Sequence, residues 1–231
     1  MLNLIYAIIY LRDEKILFNF NNILSTLGLK KMPEIGTISD LSDFIDQNSA
    51  FVSQVTLYTY VKARAGTSFP KLFENADFLT SLTISRWHIF SASVCDLSLF
   101  AAAQFRLSDH ADKAICTAMA TELGSHILTK VEQDDVDPKV FSAMINTLKA
   151  RAKKADYDSH AKGDGFFSVS SDAFMKWAPM VDEFKELDEE IMRNSMHLRW
   201  IGIRRELASR LNSDKTYGNW IEHKNQARFG N

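Results

Sequence analysis

The stretch Trp87–Phe105 holds nineteen residues with one formal charge, Asp96. No other part of the chain restricts the fold as much. A segment that long and apolar, without Gly or Pro, reads as a helix buried on all sides. Asn75 before it is a good N-cap, so the spacing predicts a helix over about Asp77–Gln104 at the centre of a bundle. An ionised Asp96 inside such a helix must be paired, because burying a lone charge is costly. Arg86 is ten residues away, about 15 Å along a helix axis, and cannot reach it. The partner must come from another helix, and Arg199 is the expected one.

The flanking segments carry the same period. Ser39 or Asp40 can cap a helix running to Arg64, with Gly66 as its stop. Ser108-Asp109 can cap a helix over about Ala111–Val131, and Asp137-Pro138 reads as an N-cap followed by Pro at N1. The next helix carries Val140, Phe141, Met144, Ile145 and Leu148 and should fray in the basic run Lys149–Lys154. Ser170 or Ser171 can cap Asp172–Trp177. A final helix follows over about Val181–Leu211. With only 9 Gly and 4 Pro in 231 residues, a many-stranded fold lacks its turn residues. The expected fold is all-α, an irregular bundle of five or six helices in a single domain over residues 36–212. Residues 213–231 read as a polar tail containing Trp220 and Phe229.

Residues 1–35 read differently. The apolar run Leu4–Leu11 is about half the length of a membrane span. It lacks a basic leader and a small-residue cleavage site. Residues 1–31 are rich in Asn, Ile, Leu and Phe, and Met32 would be a natural start. They read as a poorly ordered or non-native extension, or alternatively as a short amphipathic anchor.

In the last helix Phe184, Leu187, Ile191, Asn194, Leu198 and Ile201 recur at spacings of 3, 4, 3, 4 and 3. This is a coiled-coil-like seam with one polar residue, expected to face something apolar. The helix is acidic in its first half and basic in its second, which complements the macrodipole. Glu189–Arg193 and Glu206–Arg210 are favourable i, i+4 pairs. The charges therefore have a stabilising role without nucleic acid, and the net charge of −2 gives no reason to expect that partner.

Catalytic motifs are missing. There is no Gly-x-Ser-x-Gly elbow. The cluster Ser168–Asp172 is explained by helix capping. Lys162-Gly163-Asp164-Gly165 lacks the context of a phosphate loop. Glu122 and His126 share a helix face, but a di-metal bundle site needs Glu-x-x-His twice, so no metal or other cofactor is expected. Cys95 and Cys116 have no CxxC partner and read as buried free thiols in a reducing, cytoplasmic setting. The remaining candidates are polar residues at semi-buried positions: Arg86, His88, Asp96, Asn194 and Arg199. They form either an inter-helix packing network or a ligand pocket, and packing is the favoured reading.

Two stretches resemble a small family of uncharacterised all-helical bacterial proteins, some labelled esterase. One is Tyr60–Gly66 with Phe69–Phe73 after it. The other is Trp177-Ala178-Pro179 followed by Asn194-Ser195 and Leu198-Arg199-Trp200. The resemblance spans about residues 36–212 and implies an all-helical fold. It supports no reaction, since neither an elbow nor a triad accompanies it. Three functions follow as expectations: a protein acting through a partner or its own copy, an esterase-like hydrolase, or a small-molecule or lipid-binding bundle.

Overall fold

The computed structural model describes residues 32–130, 137–163 and 165–229. The extension expected over residues 1–31 lies outside them. Two compact units divide the chain, residues 1–34 and 35–231, and all the helices named here belong to the second. They are α1 (Ile38–Ala65), α2 (Phe69–Leu72), α3 (Ala76–Leu107), α4 (Lys113–Lys130) and α5 (Lys139–Lys154), then α6 (Tyr157–His160), α7 (Ser168–Trp177), α8 (Asp182–Arg210) and α9 (Ser213–Phe229). Among the described residues the only β pairing is an isolated bridge, Ile35 to Leu211. The fold is an all-α bundle, as the periodicity predicts.

The charge-poor helix is at the centre. Every residue from 89 to 103 of α3 is buried, and α1, α4, α5, α6 and α7 all pack on it. By length and composition α3 could cross a membrane, yet 89% of its apolar window is buried inside the fold, as in a core helix. Small residues set its close contacts. A Cβ on Gly124 of α4 would collide with Leu148 Cδ2 and lie 3.0 Å from Ser98 Oγ.

Helix ends follow local chemistry, with some shifts from expectation. Asn75 caps α3, its side chain accepting from Phe78 N at 3.0 Å. At α1 the cap is Thr37, two or three residues ahead of the expected Ser39 or Asp40. Thr37 Oγ1 accepts from Asp40 N and Asp40 Oδ2 accepts from Thr37 N, a capping box. Gly66 ends α1 at φ 53° and ψ −127°, a conformation that a Cβ disfavours. For α4 the capping carboxylate is Asp112, which accepts from Ile115 N at 2.8 Å, rather than Ser108-Asp109.

The largest departure is at the C-terminal end. Residues 213–229 are a helix within the bundle, not a polar tail. Thr216 is fully buried and Trp220 is 8% exposed. Ile38 N donates to Asn219 Oδ1, and Thr216 Oγ1 donates to Ile35 O. Ile35 N donates to Arg210 O and Asn212 N donates to Ile35 O, so the strand entering α1 is tied to the α8–α9 junction. Asn212 Oδ1 accepts from Lys215 N and starts α9.

Candidate functional site

Among the described residues, no hydrogen bond or ion pair joins any two of the polar residues singled out from the sequence. Arg86 lies over the Trp87 ring at 4.6 Å. His88 stacks on Trp177 at 3.5 Å with the rings 4° from parallel. Burial, with Lys176 nearby, pushes the His88 imidazole below its ordinary pKa. Arg199 donates to Ser195 O at 2.8 Å and Ser195 Oγ at 2.6 Å, within its own helix. Asn194 is exposed.

Asp96 is fully buried and paired, but its partner is Arg151 of α5, not Arg199. Arg151 Nη1 donates to Asp96 Oδ1 at 2.6 Å, and Ser170 N donates to Asp96 Oδ2 at 2.8 Å. Asp96 thus caps the N-terminal turn of α7 from a neighbouring helix. This explains why α7 starts at Ser168 without a cap of its own, ahead of the expected Asp172. Arg151 also donates to Phe166 O at 2.8 Å and to Cys95 Sγ at 3.3 Å. Burial pushes the Asp96 carboxyl upward, while Arg151 and the Ser170 N–H pull against that shift. Ser170 Oγ accepts from Trp200 Nε1 at 3.1 Å, extending the network to α8. The basic run was expected to fray; instead α5 stays helical through Lys154. Spacing carried the missed signal: Phe141, Met144, Leu148 and Arg151 recur at 3, 4 and 3, which puts Arg151 on the inward face.

Beside Arg151 lies a groove of about 360 Å³ lined by Leu99, Lys154, Ala155, His160 and Phe166 among others. Glu122, considered above with His126, holds α9: its carboxylate accepts from Trp220 Nε1 at 3.0 Å and pairs with Lys224. Both cysteines are free and buried. Burial pushes their thiols up to about 12 for Cys95 and about 11 for Cys116, far from a reactive thiolate.

Helix α8 has two faces. Its buried stripe is Asp188, Met192, Met196, Trp200, Ile203 and Leu207. Asp188 is anchored to α1 by Arg64, through a bidentate ion pair, and by Tyr60, whose hydroxyl donates at 3.1 Å. The Arg64 hydrogen bonds hold the Asp188 carboxyl below its ordinary range. Burial, with Asp188 beside it, pushes the Tyr60 hydroxyl up to about 12.

The coiled-coil-like seam is on the other face. Phe184 is 46% exposed, Leu187 78%, Ile191 67% and Leu198 67%. Within the described residues the seam therefore faces outward, and the apolar surface it was expected to face is not supplied by the bundle core. At 100° per residue, the 184–201 set is centred roughly opposite the 188–207 set, and one helix cannot bury both against the same neighbours.

No protein-family model, curated protein or solved structure matches the chain.

Proposed function

We propose that this chain is a non-enzymatic helical protein that works through protein–protein contact, using the outer face of α8. One observation carries this reading. Four large apolar side chains, Phe184, Leu187, Ile191 and Leu198, line one exposed face of a helix that is already anchored on its opposite face. Exposed apolar residues scattered singly need no explanation, whereas a contiguous strip marks an interaction surface. The strip spans about 21 Å of helix, the length of chain from 184 to 198 at 1.5 Å per residue.

The hydrolase alternative draws no support from the geometry. Ser170 is fully buried and its hydroxyl is engaged by Trp200. The ligand-binding alternative has the groove beside Arg151, whose guanidinium is already committed to Asp96 and Phe166.

The test is affinity capture of the full chain under mild cross-linking, alongside a Leu187→Glu/Leu198→Glu variant whose helix content is checked by circular dichroism. A polypeptide captured by the wild type and lost from the variant is the expected result. Equal capture by both would remove the assignment of this face. Serine-reagent-sensitive turnover of a p-nitrophenyl ester would move the reading to the hydrolase.

A further inference from the structure

We propose that the occupant of the α8 outer face is the α8 of a second copy, packed antiparallel about a two-fold axis between residues 192 and 193. The inference rests on the contact reading above and names its partner. The seam is palindromic in register. With the chains antiparallel, Phe184 meets Ile201 of the second copy, Leu187 meets Leu198, and Ile191 meets Asn194. Each such layer pairs the two core positions of the heptad, as antiparallel coiled coils require, and an isologous contact must be self-complementary in this way.

Charge selects the same orientation. Glu183, Glu186 and Glu190 are exposed on the first half of the helix, and Arg204 and Arg205 are on the second. A parallel pair would set acid against acid. The antiparallel pair sets the acidic half of each helix against the basic half of the other. The two helix macrodipoles also run oppositely.

Two further residues fit this arrangement. Asn194 is the only polar residue of the seam. In the dimer the two Asn194 positions are about 4.5 Å apart along the axis, given 1.5 Å per residue. Their amides can each donate to and accept from the other across the two-fold, the kind of polar pair that fixes register. Gly202 is mid-helix, where glycine is unfavourable, and beyond its own turn of helix nothing lies within 4 Å of where a Cβ would stand. In the dimer it falls level with Glu183 of the second copy and about 3 Å along the axis from its Val181, which is 56% exposed in the single chain.

Sedimentation equilibrium of the full chain tests the state, and cysteine cross-linking tests the orientation. An interface of one helix pair is small, so dimerisation with a dissociation constant in the micromolar range is expected. Leu187→Glu/Leu198→Glu should weaken it about tenfold or more, because two charges enter an apolar seam. Chains carrying Leu187→Cys mixed with chains carrying Leu198→Cys should form disulfide-linked dimers under mild oxidation. Either chain alone should not, since like positions lie about 16 Å apart along the axis. The native thiols are buried and do not interfere.

A chain that stays monomeric to about 500 µM, well beyond a micromolar constant, would overturn the dimer. So would a dimer indifferent to the double substitution, or cross-linking of either cysteine chain with itself. In a monomeric chain, an Ile191→Cys thiol that resists labelling would show that the chain's own residues cover the seam. A monomer that still captures a partner through this face ends the self-pairing inference and leaves the contact reading standing. A monomer that captures nothing ends both.

Discussion

Replacing Arg151 with Met should expose how much of the bundle depends on one buried charge pair. Met keeps most of the aliphatic stem and removes the guanidinium. Asp96, with no solvent exposure, keeps the Ser170 N–H and loses its counter-charge. Removing one partner of a buried pair costs about 3–5 kcal/mol. An independent bound agrees. The stranded carboxyl can escape by binding a proton, and from an ordinary pKa of about 3.9 that costs about 4 kcal/mol at pH 7. The same reasoning fixes the pH dependence. In the variant the folded-state pKa of Asp96 is raised above its unfolded value. The stability tied to the protonated form is then present below about pH 4 and is lost as pH rises towards the folded value. The deficit relative to wild type should be about 3–4 kcal/mol at pH 7 and shrink as pH falls, by at most about 1.4 kcal/mol per pH unit, because burial raises the carboxyl of the wild type as well. Urea melts at pH 7 and pH 5, compared at equal m, measure it. A loss under about 1 kcal/mol at pH 7, or one unchanged at pH 5, would refute the reasoning, since surface substitutions cost that little. A double-mutant cycle should show coupling between Asp96→Asn and Arg151→Met and none between Asp96→Asn and Arg199→Met.

Other outcomes follow from the packing and the caps. Trp220→Ala should destabilise the fold by about 3–5 kcal/mol, the usual cost of emptying a buried Trp site, and a loss below 1 kcal/mol in urea melts would return α9 to the status of a tail. Gly124→Ala should cost about 1–3 kcal/mol by overpacking against Leu148, read as a lower melting temperature; a neutral result would mean the α4–α5 contact yields. His88 is held below its ordinary pKa, so its contribution is present above about pH 6.5 and lost as pH falls through the folded value. Between pH 7 and pH 5 the wild type should therefore lose urea resistance relative to His88→Phe, which keeps a ring on Trp177; parallel curves would show that the stacked imidazole does not titrate in that range.

Much of this architecture could be read from the chain, and the misreadings have physical causes. The central helix was legible because burial on every side leaves no ambiguity of face. The Asn75 cap was legible because its side chain bonds locally. The polarity of Asp96 showed that it needed a partner but not which one. Arg151 sat in a basic run that looked solvated, and only its spacing from Leu148 turned it inward. On α8 the sequence offers two apolar faces, and the Leu/Ile seam has the more regular spacing. The fold buries the Met/Trp face instead, where Tyr60 and Arg64 meet Asp188 and Ser170 meets the indole of Trp200. Those partners lie far away in sequence, and periodicity is blind to them. Helix α9 is hard to read because its few apolar residues, chiefly Tyr217, Trp220 and Ile221, are outnumbered by polar ones. Its hold on the bundle combines their packing with hydrogen bonds to Ile35, Ile38 and Glu122.

The two-faced α8 has a consequence for how the chain tolerates change over generations. On the contact reading proposed above, positions that keep the protein folded and positions that touch a partner occupy different faces of this helix. Selection for abundance would then act on Met192, Met196, Trp200, Ile203 and Leu207, and selection for contact on Phe184, Leu187, Ile191 and Leu198. A library covering α8 and scored for cellular level should show an intolerant band at helical period, with the seam nearly silent between its peaks. The same library scored for association should light up the seam. The offset between the two bands, roughly half a helical turn, would separate a surface under functional constraint from one that is merely greasy.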